Sequence, residues 1–317
     1  MNKKVVGQTY SSNITKLLKH LDTLQCLQRG IVKPIMVHVA LTNVCNLKCS
    51  FCCFANRKKS GYVDFEKLKI GIDGFKYLGT NALELTGGGE PALYPFLNET
   101  IDYCYDLGFS LGMCTNGYFL RKVKDWNKFK WVRIGMYCID NNYSIDLDYV
   151  RNSQVEISSA YVWDNPDINK FKKMLEFVNE NKIPTRIAVN AIKDPVLIEK
   201  DMETVKKQSY GLLGQYAFLS DFNLKTTRRN NNCYIHMIKP FVFTDGNVYA
   251  CPSSELAVEN DFNMNEKFKL CSLENVYEFY KSLKPEAKKF NCSFCKYSQQ
   301  NELIEDVLME TKHNEFV

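Results

Sequence analysis

No stretch of this 317-residue chain approaches the ~20 consecutive apolar residues that a membrane-spanning helix needs, which excludes helical spans. The N-terminal MNKKVVGQTYSSN has no apolar core long enough for a secretory signal, so the expected location is the cytoplasm. No internal repeat and no low-complexity tract is present, which excludes a solenoid array and a compositionally biased chain. Strong charge of either sign is also missing. The net charge of +5 comes from 41 basic and 36 acidic residues scattered along the chain. That balance mildly favours anionic substrates and does not point to nucleic-acid binding, although a nucleic-acid or peptide substrate stays open.

The hydrophobic content of 45% and charged content of 24% are those of a globular protein. The length exceeds what one hydrophobic core usually serves, so one large domain with a smaller one is expected. Thirteen cysteines in a cytosolic chain argue for metal ligation over a disulfide framework, provided the spacings fit.

Apolar periodicity predicts a helix beginning at Ile14, with Leu17, Leu18, Leu21 and Leu24 on one face and Ser12 or Asn13 as its cap. An alternation follows. Strands are predicted at 36–41, 82–85, 110–114, 132–138, 155–162, 186–192 and 216–222. Helices are predicted from Asp64 to near Gly79 and at 97–107, 118–129, 145–150, 168–181 and 195–207. This order predicts βα units around a parallel sheet, hence an α/β fold with a partial (β/α)6 barrel. After about residue 230 the pattern changes. Phe241–Thr244, Asp245-Gly246 and Asn247–Ala250 read as a β-hairpin, and 273–283 as one helix. The expected organisation is an N-terminal helical extension (1–32), a barrel (33–225) and a small α+β domain with a C-terminal helix (226–317).

Cys45, Cys49 and Cys52, in CNLKCSFC, follow the first predicted strand. Three thiolates on one short loop can hold three irons of a cubane cluster and leave the fourth open. One βα unit later comes Leu85-Thr-Gly-Gly-Gly-Glu-Pro91. Its glycines let backbone approach a ligand closely, and its acid suits a cationic group such as an ammonium. A zinc site is the alternative for the cysteine loop, but zinc favours four ligands in paired C-x2-C units.

Together these motifs resemble those of radical S-adenosylmethionine (SAM) enzymes. The resemblance implies a [4Fe-4S] cluster on Cys45, Cys49 and Cys52, with SAM chelating the open iron. It also implies reductive cleavage of SAM to methionine and a 5′-deoxyadenosyl radical that takes hydrogen from substrate. Gly87, Gly88, Gly89 and Glu90 match the motif for the methionine amino group. Phe51 matches the position that packs on adenine, and Thr115-Asn116-Gly117 resembles a motif ending the third strand. Gly135 and Tyr137 stand where many relatives carry Ser and Asp. Ser158, Ser159 and Asn190 on later strands become candidates for SAM contacts by position.

Cys233 and Cys251 flank the hairpin, and Cys292 and Cys295 form a later C-x2-C pair. The set resembles the twitch domain, a shorter relative of the SPASM domain, and implies a second, fully ligated auxiliary [4Fe-4S] cluster. A four-cysteine zinc ribbon is the alternative. Cys26, Cys104, Cys114 and Cys138 are expected in the core, with Cys138 nearest the rim. Cys271, between the pairs, reads as a core residue, with a spare ligand or a hydrogen-atom donor as the alternatives; His20 and His38 read as structural, and His236 as a packing or surface residue close to Cys233. Tyr137, Tyr161 and Trp163 are candidates for the barrel mouth. Arg133 and Thr227–Arg229 are expected on the solvated surface, the latter at the domain junction.

The first functional expectation is abstraction of hydrogen from a small polar molecule, with an external donor of the flavodoxin or ferredoxin type. The runner-up is a maturase acting on a peptide or protein side chain. Against it, the segment before the first strand is too short for a leader-binding domain. A non-catalytic iron–sulfur or zinc module is a third reading, against which the GGGEP motif argues.

Overall fold

The computed structural model describes residues 14–140, 143–220, 231–253, 266–290, 292, 295–310 and 312. Its centre is a sheet whose strands alternate between two environments. β1 (Met36–Ala40), β2 (Ala82–Thr86), β3 (Ser110–Thr115), β4 (Phe129–Gly135), β5 (Glu156–Trp163), β6 (Thr185–Val189) and β7 (Ala217–Leu219) are parallel and neighbour one another in chain order. Val37, Val39, Leu83, Leu85, Leu111, Met113, Val132, Ile134, Ile187 and Val189 are buried in one core that also takes in the apolar faces of the surrounding helices. Burying each such side chain stabilises the fold by about 1.5–3 kcal/mol. The intervening residues, His38, Glu84, Cys114, Arg133, Ala160 and Arg186, therefore face the barrel interior. The result is the expected partial (β/α)6 barrel.

The helices are α1 (Ile14–Leu17), α2 (Leu21–Gln28), α3 (Phe65–Tyr77), α4 (Leu97–Asp106), α5 (Tyr137–Asp140), α6 (Leu147–Arg151), α7 (Ile168–Glu180), α8 (Pro195–Gln208), α9 (Ile235–Ile238), α10 (Val276–Ser282) and α11 (Ser298–Leu308). Asp64 caps α3 by accepting from Lys67 N at 2.9 Å, as its position predicts. The first predicted helix is divided into α1 and α2. The helix predicted at 118–129 does not form. Its apolar residues instead belong to two 3₁₀ turns, Leu120–Lys122 and Trp126–Lys128, and Phe129 already starts β4. The strand predicted at 132–138 ends at Gly135, and Tyr137 enters α5. The helix predicted at 273–283 opens as a 3₁₀ turn, Leu273–Asn275, before α10.

The hairpin of β9 (Phe241–Val242) and β10 (Asn247–Tyr249) forms as predicted. It also extends the barrel sheet. β9 pairs in parallel with β1, and β11 (Lys269–Ser272) adds beyond β10. β8 (Asn232–Cys233) pairs separately with β12 (Lys288–Lys289). On the barrel's outer side α10 meets α3, with the Phe75 and Tyr280 rings 5.8 Å apart and Lys67 2.7 Å from Glu274. The domain boundary expected near 225 and the basic run Thr227–Arg229 lie outside the described residues. Among the described residues no helix is long and apolar enough to cross a membrane.

Candidate active site

The cysteine loop leaves β1 at Leu41 and is held by its own backbone and one arginine. Thr42 Oγ1 donates to Gly61 O at 3.1 Å and accepts from Val44 N at 3.1 Å. Arg57, a buried guanidinium, donates to Asn43 O at 2.9 Å and to Phe54 O at 2.7 Å, and its Nη1 lies 3.8 Å from Cys52 Sγ. Cys45 Sγ accepts from Leu47 N at 3.4 Å and lies 3.9 Å from Asn116 Nδ2. Cys45, Cys49 and Cys52 thus line the same cavity wall. Burial raises the pKa of Cys45. Burial, and then the proximity of Cys52 and Cys45, pushes Cys49 up to about 12. Cys45 and Cys49 are thus held toward the thiol form, and a cationic iron would favour their thiolates, the ligand form. Among the described residues no three His, Cys, Asp or Glu side chains are close enough to hold a single ion. A cluster differs from zinc in spreading its ligands over several irons.

The triglycine segment is zipped onto this loop. Gly89 N donates to Thr42 O at 2.6 Å and Glu90 N to Val44 O at 2.8 Å. A Cβ on Gly88 would stand 2.5 Å from Asn43 Oδ1, and one on Gly89 2.0 Å from Val44 O. Only glycine permits this approach. Glu90 is 2% exposed, and its carboxylate accepts from Thr115 Oγ1 at 2.7 Å, Asn116 N at 2.7 Å and Ala92 N at 3.1 Å. Burial raises its pKa, against these bonds. Glu90 therefore ties the β2 loop to the β3 loop. In turn Asn116 Nδ2 donates to Asn46 Oδ1 at 2.7 Å, closing a ring of three loops.

These loops rim a cavity of about 440 Å³ at the C-terminal ends of the strands. Of the sequence candidates, Cys45, Cys49, Phe51, Cys52, Gly87, Gly88, Gly89, Glu90 and Asn116 line it. The rings of Phe51 and Tyr137 stand 4.6 Å apart, and a Cβ on Gly135 would meet Tyr137 at 2.5 Å, so Gly135 makes room for that ring. Ser158 and Asn190 are buried outside the described lining. Ser158 lies deeper on β5, donating to Val132 O at 3.4 Å. Asn190 donates to Asp164 at 3.1 Å, and Asp164 accepts from Ser50 of the cysteine loop. Ser159 faces away, 2.7 Å from Thr185 Oγ1. Tyr161 and Trp163 pack on Phe171 of α7, with centroids 5.7 and 4.9 Å away, and not at the mouth. Cys138 is fully buried and donates to Gly135 O at 3.4 Å.

Sequence reasoning missed the charged interior. Cys114, expected in the core, and Arg133, expected on the surface, both line the cavity with His38, Glu84, Arg186, Lys239 and Lys296. The signal was available: His38, Glu84, Cys114, Arg133 and Arg186 each lie between two residues of the helix-facing side of β1, β2, β3, β4 and β6. His38 Nε2 lies 3.1 Å from Glu84 Oε2, and Cys114 Sγ donates to Glu84 Oε1 at 3.4 Å. Burial holds His38 neutral, with its pKa down to about 3, and lowers Lys239 to about 8. Burial, then Arg133, lowers Arg186 to about 10. Burial opposes the Glu84 charge, but the positive groups around it, Lys239 and Arg133 among them, hold its pKa below the ordinary value.

Asn301 links the segment that carries Cys233 to the one that carries Cys295, and Tyr297 lies beside Cys295 and Cys251. Asn301 accepts from Tyr234 N at 2.7 Å and Ile235 N at 3.2 Å, next to Cys233, while its Nδ2 lies 3.7 Å from Cys295 Sγ. Tyr297 N donates to Cys295 Sγ at 3.3 Å. Burial, then the neighbouring Cys251, raises the Tyr297 pKa. Cys292 is tied to Phe290 O at 2.9 Å, just after β12, which pairs with Cys233. A donor set of four thiols fits a closed cluster. Cys271 is half-buried on β11, and burial pushes it up to about 12. His236, far from being a surface residue, is 0% exposed.

The signature of the Radical SAM superfamily matches residues 39–207, just over half of the chain. The chain belongs to this superfamily. A [4Fe-4S] cluster and SAM are accordingly its cofactors. Over 165 residues it is 27% identical to a putative glycyl-radical enzyme activating enzyme of Methanocaldococcus jannaschii, covering 46% of this chain and 64% of that protein. Over 177 residues it is 24% identical to an S-adenosylmethionine-dependent nucleotide dehydratase of Selenomonas ruminantium, covering 54% and 61%. The chain thus spans less than two thirds of the length of these curated relatives. Among solved structures it is similar to Streptococcus suis SuiB bound to the precursor peptide SuiA. That likeness has a TM-score of 0.55 at 16% identity and covers 86% of this chain and 75% of the other. It is a likeness of fold.

Proposed function

We propose that this radical SAM enzyme acts on a small polar molecule, from which hydrogen is abstracted. A [4Fe-4S] cluster held by Cys45, Cys49 and Cys52 would supply the electron for reductive cleavage of SAM, and with it the radical chemistry that takes hydrogen from substrate. The observation that carries the reading is the one cavity that Cys45, Cys49 and Cys52 share with Gly87–Gly89, whose segment is bonded to the cysteine loop at Thr42 and Val44, above an interior lined by polar side chains. In this reading the three thiolates hold the cluster and the triglycine backbone receives the methionine end of SAM. Phe51, beside Tyr137, takes the adenine, and Asn116 orients Cys45. Glu90 acts by positioning, since its oxygens are engaged within the protein. Ser158 and Asn190 support the wall from behind.

Cys233, Cys251, Cys292 and Cys295 hold the auxiliary cluster in this reading. A fully ligated cluster relays electrons or supports structure. Electrons enter from an external flavodoxin- or ferredoxin-type donor. The nucleotide dehydratase relative fits a small polar substrate. The likeness to peptide-bound SuiB favours a second reading, modification of a peptide side chain, over the same site.

The test is anaerobic incubation of reconstituted protein with dithionite and SAM. Release of 5′-deoxyadenosine is expected, and no release from protein with intact clusters would refute the reading. Small-molecule and peptide pools then separate the two substrate classes by which of them accelerates release.

A further inference from the structure

The charges inside the barrel do not balance. Five cations line the cavity: Arg57, which the cysteine loop engages through Asn43 O and Phe54 O, and Arg133, Arg186, Lys239 and Lys296. The acids of the described lining are Glu84 and Glu90, and Glu90 is bonded to Thr115, Asn116 and Ala92. Among the described residues Arg186, Lys239 and Lys296 have no carboxylate within ion-pair distance. Arg186 Nε is buried without a hydrogen-bond partner. Lys239 and Lys296 both crowd the Tyr297 ring, at 5.3 and 5.4 Å from its centroid. Buried cations left this way are costly unless a ligand completes them.

Their depth separates them from the rim. His38 and Glu84 precede the rim residues Ala40 and Thr86 by two positions, ~6.6 Å along a strand. Lys239 is fixed at this level because His38 N donates to the adjoining Pro240 O at 3.2 Å. The thiols and the triglycine lie at the strand ends above.

We propose that the cavity floor is the recognition site for an oxyanion of the substrate, a phosphate or a carboxylate, bound by Arg186 and Lys239 with Arg133 and Lys296 around it. The guanidinium offers a planar fork of donors to two oxygens, and the lysines add point charges. The inference rests on the small-molecule reading above and narrows that substrate to an anion. It also gives the auxiliary segment a role at the reaction, since Lys239 and Lys296 come from outside the barrel strands.

The test is calorimetric titration of cluster-loaded, SAM-bound protein with inorganic phosphate and, separately, with malonate. The protein is expected to bind at least one with a millimolar or tighter Kd, and the stronger of the two identifies the oxyanion. Arg186→Gln and Lys239→Met should each weaken it by about tenfold or more, with Arg186→Lys losing less. SAM affinity and cluster absorbance should stay near those of the parent. Failure of both anions to bind below about 50 mM would overturn the inference. So would an Arg186→Gln variant that loses SAM and the anion alike, because the site would then serve the SAM carboxylate. Release of 5′-deoxyadenosine by the parent without anion binding overturns this inference alone. Anion binding without release overturns the reading beneath it.

Discussion

Replacing Gly89 by alanine probes the contact on which the site depends. The new Cβ would stand 2.0 Å from Val44 O, 2.5 Å from Val44 C and 2.7 Å from Asn43 C. All three are backbone atoms and cannot rotate away, so the triglycine and cysteine loops must separate. Separation breaks the bonds from Gly89 N to Thr42 O and from Glu90 N to Val44 O. Each lost bond costs ~1 kcal/mol, or up to ~3 if a group stays buried without a partner. Overpacking adds ~1–3 kcal/mol. The expected loss is therefore about 3–6 kcal/mol, which lowers the melting temperature by on the order of 10 °C. SAM affinity should fall with it, because the displaced backbone is the proposed methionine site. Urea unfolding and equilibrium dialysis with SAM, both anaerobic, give the two readouts. Gly211→Ala is the control, with nothing within 4 Å of its Cβ, and should cost only the ~1–2 kcal/mol of its left-handed backbone. A Gly89→Ala variant losing less than about 1 kcal/mol and keeping full SAM affinity would refute the reasoning.

The buried histidines set a pH dependence. His38 and His236 have folded pKa values down to about 3, against an ordinary 6.5. The unfolded chain therefore binds more protons between these values, and stability present above pH 6.5 is lost as pH falls toward 3. At pH 5.5 the loss is on the order of 1.4 kcal/mol for each, and urea midpoints at pH 7.5 and 5.5 should show it. A flat profile would contradict their buried neutral state. Asn301→Ala removes the bridge between Tyr234, Ile235 and Cys295. It should cost about 2–3 kcal/mol and lower the auxiliary cluster content while SAM cleavage by the other cluster persists. Replacing Cys45, Cys49 and Cys52 by alanine should reduce iron from about eight to about four per chain. Unchanged iron would refute the ligand assignment.

The barrel was legible in the sequence because each βα unit carries its own pattern, and the β1 to β6 order follows from parallel connections. The rim was legible because cysteines and glycines are scarce residue types used at fixed spacing. Three features were not. Phe119, Leu120, Val123 and Trp126 have helical spacing, yet they fill the core from irregular turns, since packing rewards burial irrespective of backbone form. The β9–β1 pairing joins residues some 200 apart in sequence, and no local pattern encodes it. Cys114 reads as core from its place on a strand face, and Arg133 as surface from its charge. Their alternation with Met113, Val132 and Ile134 places them inside the barrel, but only once the outer face is known to be the apolar one.

The account turns on an open iron, held by Cys45, Cys49 and Cys52, that chelates SAM. Electron–nuclear double resonance of the reduced protein with SAM labelled with ¹⁵N at its amino group measures this directly. The account predicts a ¹⁵N hyperfine coupling to one cluster that disappears in the Cys49→Ala variant. A reduced, intact cluster with no such coupling, or a coupling that survives the loss of Cys49, would contradict it.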